Sequence, residues 1–179
     1  MSNIHKISIL RYRRLSLSFL VLLLVSGCGF STNIRFGDND SPDLVVYNAP
    51  PTIEHFSLGD TDRAHGEIVS WHADLDDAEG EAAQRIGHCN GTMQVTLENQ
   101  GPEDDREHRM TMIELDWDDS PDSLLISGSH PYKTGNLETD TVIFRAIIGG
   151  TGKFRGARGE MTSEKLPSGW YRHSIWLVD

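Results

Sequence analysis

The stretch Ile147 to Gly159 reads IIGGTGKFRGARG and combines five glycines with three cationic side chains. Glycine-rich loops bind phosphate through their backbone N–H groups. A P-loop needs a glycine five positions before Gly152 and a Ser or Thr after Lys153, and this chain has neither. A dinucleotide fingerprint, G-x-G-x-x-G, also fails, because three residues separate Gly152 from Gly156. The glycines therefore predict a tight turn between two strands, where positive φ and close backbone approach are needed.

Histidines and carboxylates are the next candidates for chemistry, as ligands of metal ions. Seven histidines follow residue 27, but neither H-x-x-x-H nor C-x-x-C spacing occurs. His72 and Asp74, two apart on one strand face, form the closest pair. The acidic run from Asp74 to Glu81 has Glu79 where a calcium loop requires glycine. We expect a solvated hairpin there, and neither a metal site nor a cofactor.

The elements that must position these residues are predicted to be strands. Short alternating runs are separated by turn-rich stretches such as DDAEGE, NQGPEDDR and DDSPD, and no helical period is sustained. Eight sequential strands joined by hairpins favour an all-β fold, an eight-stranded antiparallel up-and-down β-barrel with a central hydrophobic cavity. The predicted strands lie at roughly 43–48, 66–75, 86–98, 109–118, 122–130, 140–148, 157–165 and 170–178.

Alternation gives each strand two faces, one of which must line the barrel. In three central strands one face is apolar, and we expect it to point inward. Small barrels can also be filled completely by such side chains, so a core without a ligand is the alternative. The side chains expected to bind a ligand are Trp71, Met93, Leu115 and Trp117.

The glycine-rich stretch resembles the GGTGxFxGARG signature of the allene oxide cyclase-like barrel superfamily, which includes plant dirigent proteins. Four further pieces agree in chain order: LGD at 58–60, WHADL at 71–75, IGHCNG at 86–91 and Ile126-x-Gly128. The resemblance covers about residues 55 to 179. It implies an eight-stranded barrel, often a homotrimer, whose interior binds a small hydrophobic molecule. Met93 and Ala73 stand where the cyclase has a cysteine and an asparagine, which argues against allene oxide cyclase activity specifically.

Polar groups near strand ends could point into such a cavity. His130 and His173 could move protons near neutral pH, and Tyr171 could hold a ligand oxygen. We take these three as the candidate catalytic residues. Arg158, from the glycine-rich stretch, is a candidate ligand contact, with an ion-pair partner at the barrel rim as its alternative role.

The N-terminus reads as an export signal. A basic segment precedes the 11-residue apolar run Leu15 to Val25, which is too short to span a bilayer. Val25-Ser26-Gly27-Cys28 resembles the lipobox of bacterial lipoproteins, and Gly29 resembles an outer-membrane sorting pattern. We expect a signal peptide at 1–27, a flexible tether at 28–42 and the barrel at 43–179, anchored through lipidated Cys28 to the periplasmic face of the outer membrane.

Charge and cysteine content restrict the partners. Residues 28–179 carry 12 basic and 27 acidic side chains, a formal charge of −15, so we expect no nucleic-acid partner. Cys89 is the one cysteine besides Cys28, so no intrachain disulfide stabilises the domain once Cys28 is lipidated.

Three functions remain open at this point. The first is a lipid-anchored barrel that binds a small hydrophobic metabolite. The second, which the resemblance implies, is a cofactor-free enzyme in the same cavity: a cyclase or isomerase, or a phenazine demethylase, since an exported barrel resembling this family performs that reaction. The third is an envelope structural protein with a filled barrel. Whether the protein is an enzyme is undecided by sequence.

Overall fold

The computed structural model describes residues 41–56, 65–97, 106–133 and 141–178, which all belong to one compact unit. The predicted signal peptide and Cys28 lie outside these ranges. Within them, no helix is long and apolar enough to cross a membrane.

Nine stretches are extended, and a single 3-10 turn at Gly152–Phe154 is the only helical element of the described residues. The strands are β1 Leu44–Asn48, β2 Thr52–Phe56, β3 Ile68–Asp76, β4 Arg85–Leu97, β5 Arg106–Trp117, β6 Ser123–Lys133, β7 Val142–Thr151, β8 Gly159–Lys165 and β9 Tyr171–Leu177.

Every neighbouring pair from β2 to β9 is antiparallel and consecutive in the chain. The sheet closes because β1 pairs with β9 along its length and with β3 through Tyr47 and Asp76. β2 continues along β3 after Pro50 and Pro51, residues that cannot donate to a sheet ladder. β1 and β2 are thus two parts of one interrupted strand, and the predicted eight-stranded antiparallel barrel is confirmed. The segment Thr52–Phe56 was not predicted as a strand.

The side chains that face the barrel interior are apolar in one half of the barrel and polar in the other. We call the half that ends at residues 76–85, 117–123 and 151–159 the apolar half, and the opposite half the polar half. The apolar half is filled by a core of Val46, Leu75, Cys89, Leu115, Leu124, Ile126, Ile147, Met161 and Ile175. The buried polar residues of the other half are Asn48, Glu67, Glu107, Arg109, Thr111, His130, Arg145, Ser163 and His173.

The glycine-rich stretch forms a tight turn that covers the apolar half. Gly152 has φ of 54°, which glycine adopts without strain, and the backbone N–H of Lys153 donates to the Asp122 carboxylate at 2.9 Å. The Phe154 ring packs on Trp117 with ring centroids 4.9 Å apart. Gly152 and Gly156 therefore lie in the tight turn between β7 and β8 that the glycine spacing predicted.

Candidate functional site

A cavity of about 80 Å³ lies inside the polar half. Its volume is several times the ~10–15 Å³ that one water molecule needs. It meets the surface beside Ile53, which lines it and is half exposed. The lining residues are Asn48, Pro51, Ile53, Trp71, Met93, Thr111, Ile113, His130, Tyr132, Ile143, Arg145, Ser163, Tyr171 and His173.

Arg145 is the central charged group of this cavity. It lies on β7 between Ile143 and Ile147 on the inward face, so strand alternation carries its side chain into the barrel. Its side chain is buried, at 7% exposure, and its Nε has no hydrogen-bond partner among the described residues. No described carboxylate forms an ion pair with it, and its guanidinium group contacts hydroxyl and imidazole groups instead. A buried cation without a paired anion is costly, because burial removes its hydration.

A directed chain of hydrogen bonds leads away from Arg145. Its Nη1 donates to the Ser163 hydroxyl oxygen at 3.0 Å, and that hydroxyl lies 2.9 Å from Nδ1 of His173. Nε2 of His173 lies 2.7 Å from the Asn48 side-chain oxygen, and the Asn48 amide donates to the Ala49 carbonyl. Because the Asn48 oxygen can only accept, His173 carries its proton on Nε2 and accepts from Ser163 on Nδ1. Both ring nitrogens of His173 are therefore occupied.

His130 lies on the other side of Arg145. Its Nδ1 is 3.4 Å from Nη2 of Arg145 and 3.4 Å from the Thr111 hydroxyl. A guanidinium group can only donate, so Nδ1 of His130 accepts and the proton is on Nε2. The ring stands edge-on to Tyr132, with centroids 5.9 Å apart. His130 thus presents a neutral imidazole with one N–H to the cavity.

Burial keeps both histidines neutral. Burial first, and then the Arg145 charge, lower the pKa of His173 to about 3. The same two causes, with smaller contributions from Arg109 and His108, lower the pKa of His130 to about 3. Burial lowers the pKa of Arg145 to about 10 and raises that of Tyr171 to about 12, so at neutral pH the arginine is cationic and the tyrosine is protonated. The site therefore offers hydrogen-bond donors and one positive charge to a bound molecule.

A second buried arginine, Arg109, has a carboxylate partner within the chain. Arg109 donates to the Glu107 carboxylate, with its Nε at 2.6 Å, and its guanidinium carbon lies 4.0 Å from the centroid of the Tyr132 ring. Both members of this ion pair are buried. Arg109 is therefore neutralised within the chain, whereas Arg145 is not neutralised by any described residue.

The structure brings five of the predicted site residues to one cavity: Trp71, Met93, His130, Tyr171 and His173. The roles assigned to them stay predictions. The high pKa of Tyr171 suits hydrogen bonding to a ligand better than proton transfer at neutral pH. Both nitrogens of His173 are occupied within the chain, so this ring is available for neither role.

Three predicted ligand contacts lie elsewhere. Leu115 is part of the apolar core, and Trp117 packs against that core below Phe154. Arg158 is exposed, and its guanidinium group donates to the backbone carbonyls of Ile148, at 3.0 Å, and of Ala157, at 2.7 Å. The apolar faces do point inward as predicted. Because side chains fill the apolar half, the cavity lies in the polar half.

Sequence reasoning missed Arg145, Ser163, Thr111 and Asn48. The signal for Arg145 was present in the sequence VIFRAIIG, where an arginine shares a strand face with two isoleucines. The other three are small polar residues, which occur as often on solvent faces as on inward faces. Only the closed barrel shows that they meet Arg145.

No family model matches the chain, and no curated protein matches its sequence. Solved structures do match its fold. The chain is similar to "Pyocyanin demethylase", with 16% identity, a TM-score of 0.58, and coverage of 75% of this chain and 98% of the other. It is also similar to "the pterocarpan synthase dirigent protein GePTS1", with 16% identity, a TM-score of 0.56, and coverage of 75% and 82%. Both are eight-stranded barrels, so the chain has the dirigent-like barrel fold that its glycine-rich stretch predicted.

Proposed function

We propose that the protein binds a small, mainly apolar metabolite that carries an anionic or strongly hydrogen-bond-accepting group, and that Arg145 holds this group inside the barrel. The observation that carries the proposal is the buried guanidinium group without a described carboxylate partner. An anionic ligand would supply the missing charge, and charge-assisted hydrogen bonds are the stronger class.

The cavity walls support the apolar part of the ligand. Trp71, Met93 and Ile113 approach from neighbouring strands, and Ile143 lies on the same face as Arg145. Ligand sites in proteins combine such walls with a few fixed polar groups that orient the ligand. Here the polar groups are the guanidinium group of Arg145 and the hydroxyl and imidazole groups around it.

The proposal is tested with two aromatic probes of the same shape, 2-naphthoate and 2-naphthamide. Isothermal titration calorimetry of the full chain should show that the carboxylate binds at least tenfold more tightly, a difference of about 1.4 kcal/mol. Arg145→Met should remove this preference and leave any weak amide binding in place. If neither probe binds the wild type with a Kd below about 1 mM, the cavity is not a site for this ligand class.

A matched control separates loss of the site from loss of the fold. Phe144→Met alters the neighbouring residue on β7, whose side chain is on the outward face and half exposed. This variant should keep the preference for 2-naphthoate. An equal loss of preference in both variants would show that the effect comes from the strand and not from the guanidinium group.

A second candidate is turnover of the bound molecule in the same cavity. The likeness to "Pyocyanin demethylase" supports it, since 98% of that chain is covered. In this reaction water would supply the oxygen, the methyl carbon would leave as formaldehyde, and the bound phenazine ring would take up the two electrons. Incubation of the protein with pyocyanin, followed by mass spectrometry, should therefore reveal formaldehyde and a reduced product that has lost a methyl group. His130→Gln should abolish product formation if the imidazole takes part, and unchanged pyocyanin with the wild type would leave binding as the function.

We also propose that the barrel is anchored through lipidated Cys28 at the periplasmic face of the outer membrane. The lipobox-like Val25-Ser26-Gly27-Cys28 after a basic and then apolar segment supports this. Multiple acyl chains give stable anchoring, where one chain would be marginal. Such a protein would hold its ligand within the cell envelope.

A further inference from the structure

A separate cluster of side chains lies on the outer surface of the barrel, on the strand face opposite Trp71 and the cavity. His72 and Asp74 project from β3, and His88 lies directly across from Asp74 on β4. One nitrogen or oxygen atom from each of these three residues lies within 4.8 Å of those of the other two. The three belong to one ladder of paired strands, so their backbone positions are fixed relative to each other.

Hydrogen bonding leaves one nitrogen of His72 available as a ligand. Nδ1 of His72 lies 2.7 Å from the side-chain oxygen of Asn90, its partner on β4. Because that oxygen only accepts, Nδ1 carries the proton and Nε2 carries a lone pair. Metal-binding histidines are oriented in this way, by an oxygen acceptor on the nitrogen that does not bind the metal.

His88 has a carboxylate near each of its ring nitrogens, and both lie beyond hydrogen-bonding distance. Its Nε2 lies 3.6 Å from a carboxylate oxygen of Asp118, and its Nδ1 lies 3.9 Å from the nearer carboxylate oxygen of Asp74. That Nδ1 is shielded from solvent and has no hydrogen-bond partner among the described residues. A carboxylate, an imidazole and a metal in series form a recurrent zinc-binding unit.

We propose that His72, Asp74 and His88 form a binding site for a divalent transition metal of the zinc class. Two neutral imidazoles and one carboxylate are a ligand set that Zn²⁺ accepts, with water in the fourth position. Zinc–ligand bonds of about 2.0–2.2 Å require the three donor atoms to move closer together by roughly 1 Å. His72 and Asp74 are exposed, so their side chains can rotate to do so.

Sequence spacing predicted no metal site, and the reason is visible in the register. His72 and Asp74 were recognised as a pair, but the third ligand comes from the neighbouring strand. The separation of His88 from Asp74 along the chain depends on the length of the hairpin between β3 and β4, which no fixed motif describes.

The test is Zn²⁺ titration of the full chain, purified without a histidine tag, by isothermal titration calorimetry at pH 7.5. We expect one Zn²⁺ per chain, at least tenfold weaker binding in His72→Ala and in His88→Ala, and no saturable binding of Mg²⁺, which prefers oxygen ligands. His108→Ala, which removes an exposed histidine of β5, should bind Zn²⁺ like the wild type.

The proposal is overturned if the wild type does not bind Zn²⁺ saturably, or if His72→Ala and His88→Ala bind it as tightly as His108→Ala does.

Discussion

Replacing Arg145 by methionine should make the protein more stable while destroying its preference for an anionic ligand. Methionine has a similar length and can fill the same volume without a charge. The guanidinium group is buried at 7% exposure, and no described carboxylate neutralises it. Residues that serve binding often lower the stability of the folded protein in this way.

The magnitude follows from the pKa. Burial lowers the pKa of Arg145 from 12.5 to about 10, which corresponds to a cost of about 3 kcal/mol for the charged form. This cost is present at every pH below about 10, because the arginine is charged in both the folded and the unfolded chain there. Loss of the charge-assisted hydrogen bond to Ser163 removes about 1.5–3 kcal/mol of stabilisation, and the 3.4 Å contact with His130 is too long to add much. The free energy of unfolding should therefore rise by up to about 2 kcal/mol.

Urea denaturation followed by tryptophan fluorescence measures this change. With a slope of about 2 kcal/mol per molar urea, the midpoint of Arg145→Met should rise by up to about 1 M. Saturating 2-naphthoate, at about 100 times its Kd, should stabilise the wild type by about 2.7 kcal/mol and the variant much less.

Arg109→Met is the matched control, since Arg109 is equally buried but paired with Glu107. Replacing Arg109 leaves the buried Glu107 carboxylate without a partner and should lower the free energy of unfolding by about 3–5 kcal/mol. If Arg145→Met is also destabilised by more than 1 kcal/mol, Arg145 is a structural residue and the inference of an uncompensated charge is refuted.

The remaining predictions concern pH, the turn and the anchor. Burial lowers the pKa values of His130 and His173 to about 3. Below pH 6.5 the unfolded chain therefore binds more protons than the folded chain does. The free energy of unfolding should fall by about 2 kcal/mol per histidine between pH 7 and pH 5. His173→Gln should show a smaller loss in urea denaturation over this range, and an unchanged loss would contradict the assignment. Gly150→Ala should destabilise by about 1–3 kcal/mol, because a Cβ there would meet backbone and side-chain atoms within 2.8 Å, whereas Gly149→Ala has open space and should be neutral in the same assay. Radiolabelled palmitate should enter the wild type and not Cys28→Ala, and equal labelling of both would rule out lipidation at this cysteine.

Much of the fold could be predicted because its determinants are local. Strand alternation depends on the period of two along the backbone, so the inward faces carrying Trp71 and Met93 were identified without knowledge of strand pairing. The glycine-rich turn was identified in the same way, since positive φ at Gly152 is a property of a few consecutive residues. The interruption of the first strand at Pro50 and Pro51 was missed, although proline makes such a break unsurprising.

Barrel closure alone decided where the cavity lies and what chemistry it has. Arg145, Ser163, His173 and Asn48 come from four strands, and they form one hydrogen-bonded chain because register and closure bring those strands together. The surface cluster around His88 depends on the register of β3 and β4 alone. A period of two tells which side a residue faces, but distances across a barrel depend on every intervening strand pair. Sequence therefore determined the strands and which of their side chains face the barrel interior. Tertiary structure determined which of the polar side chains meet there.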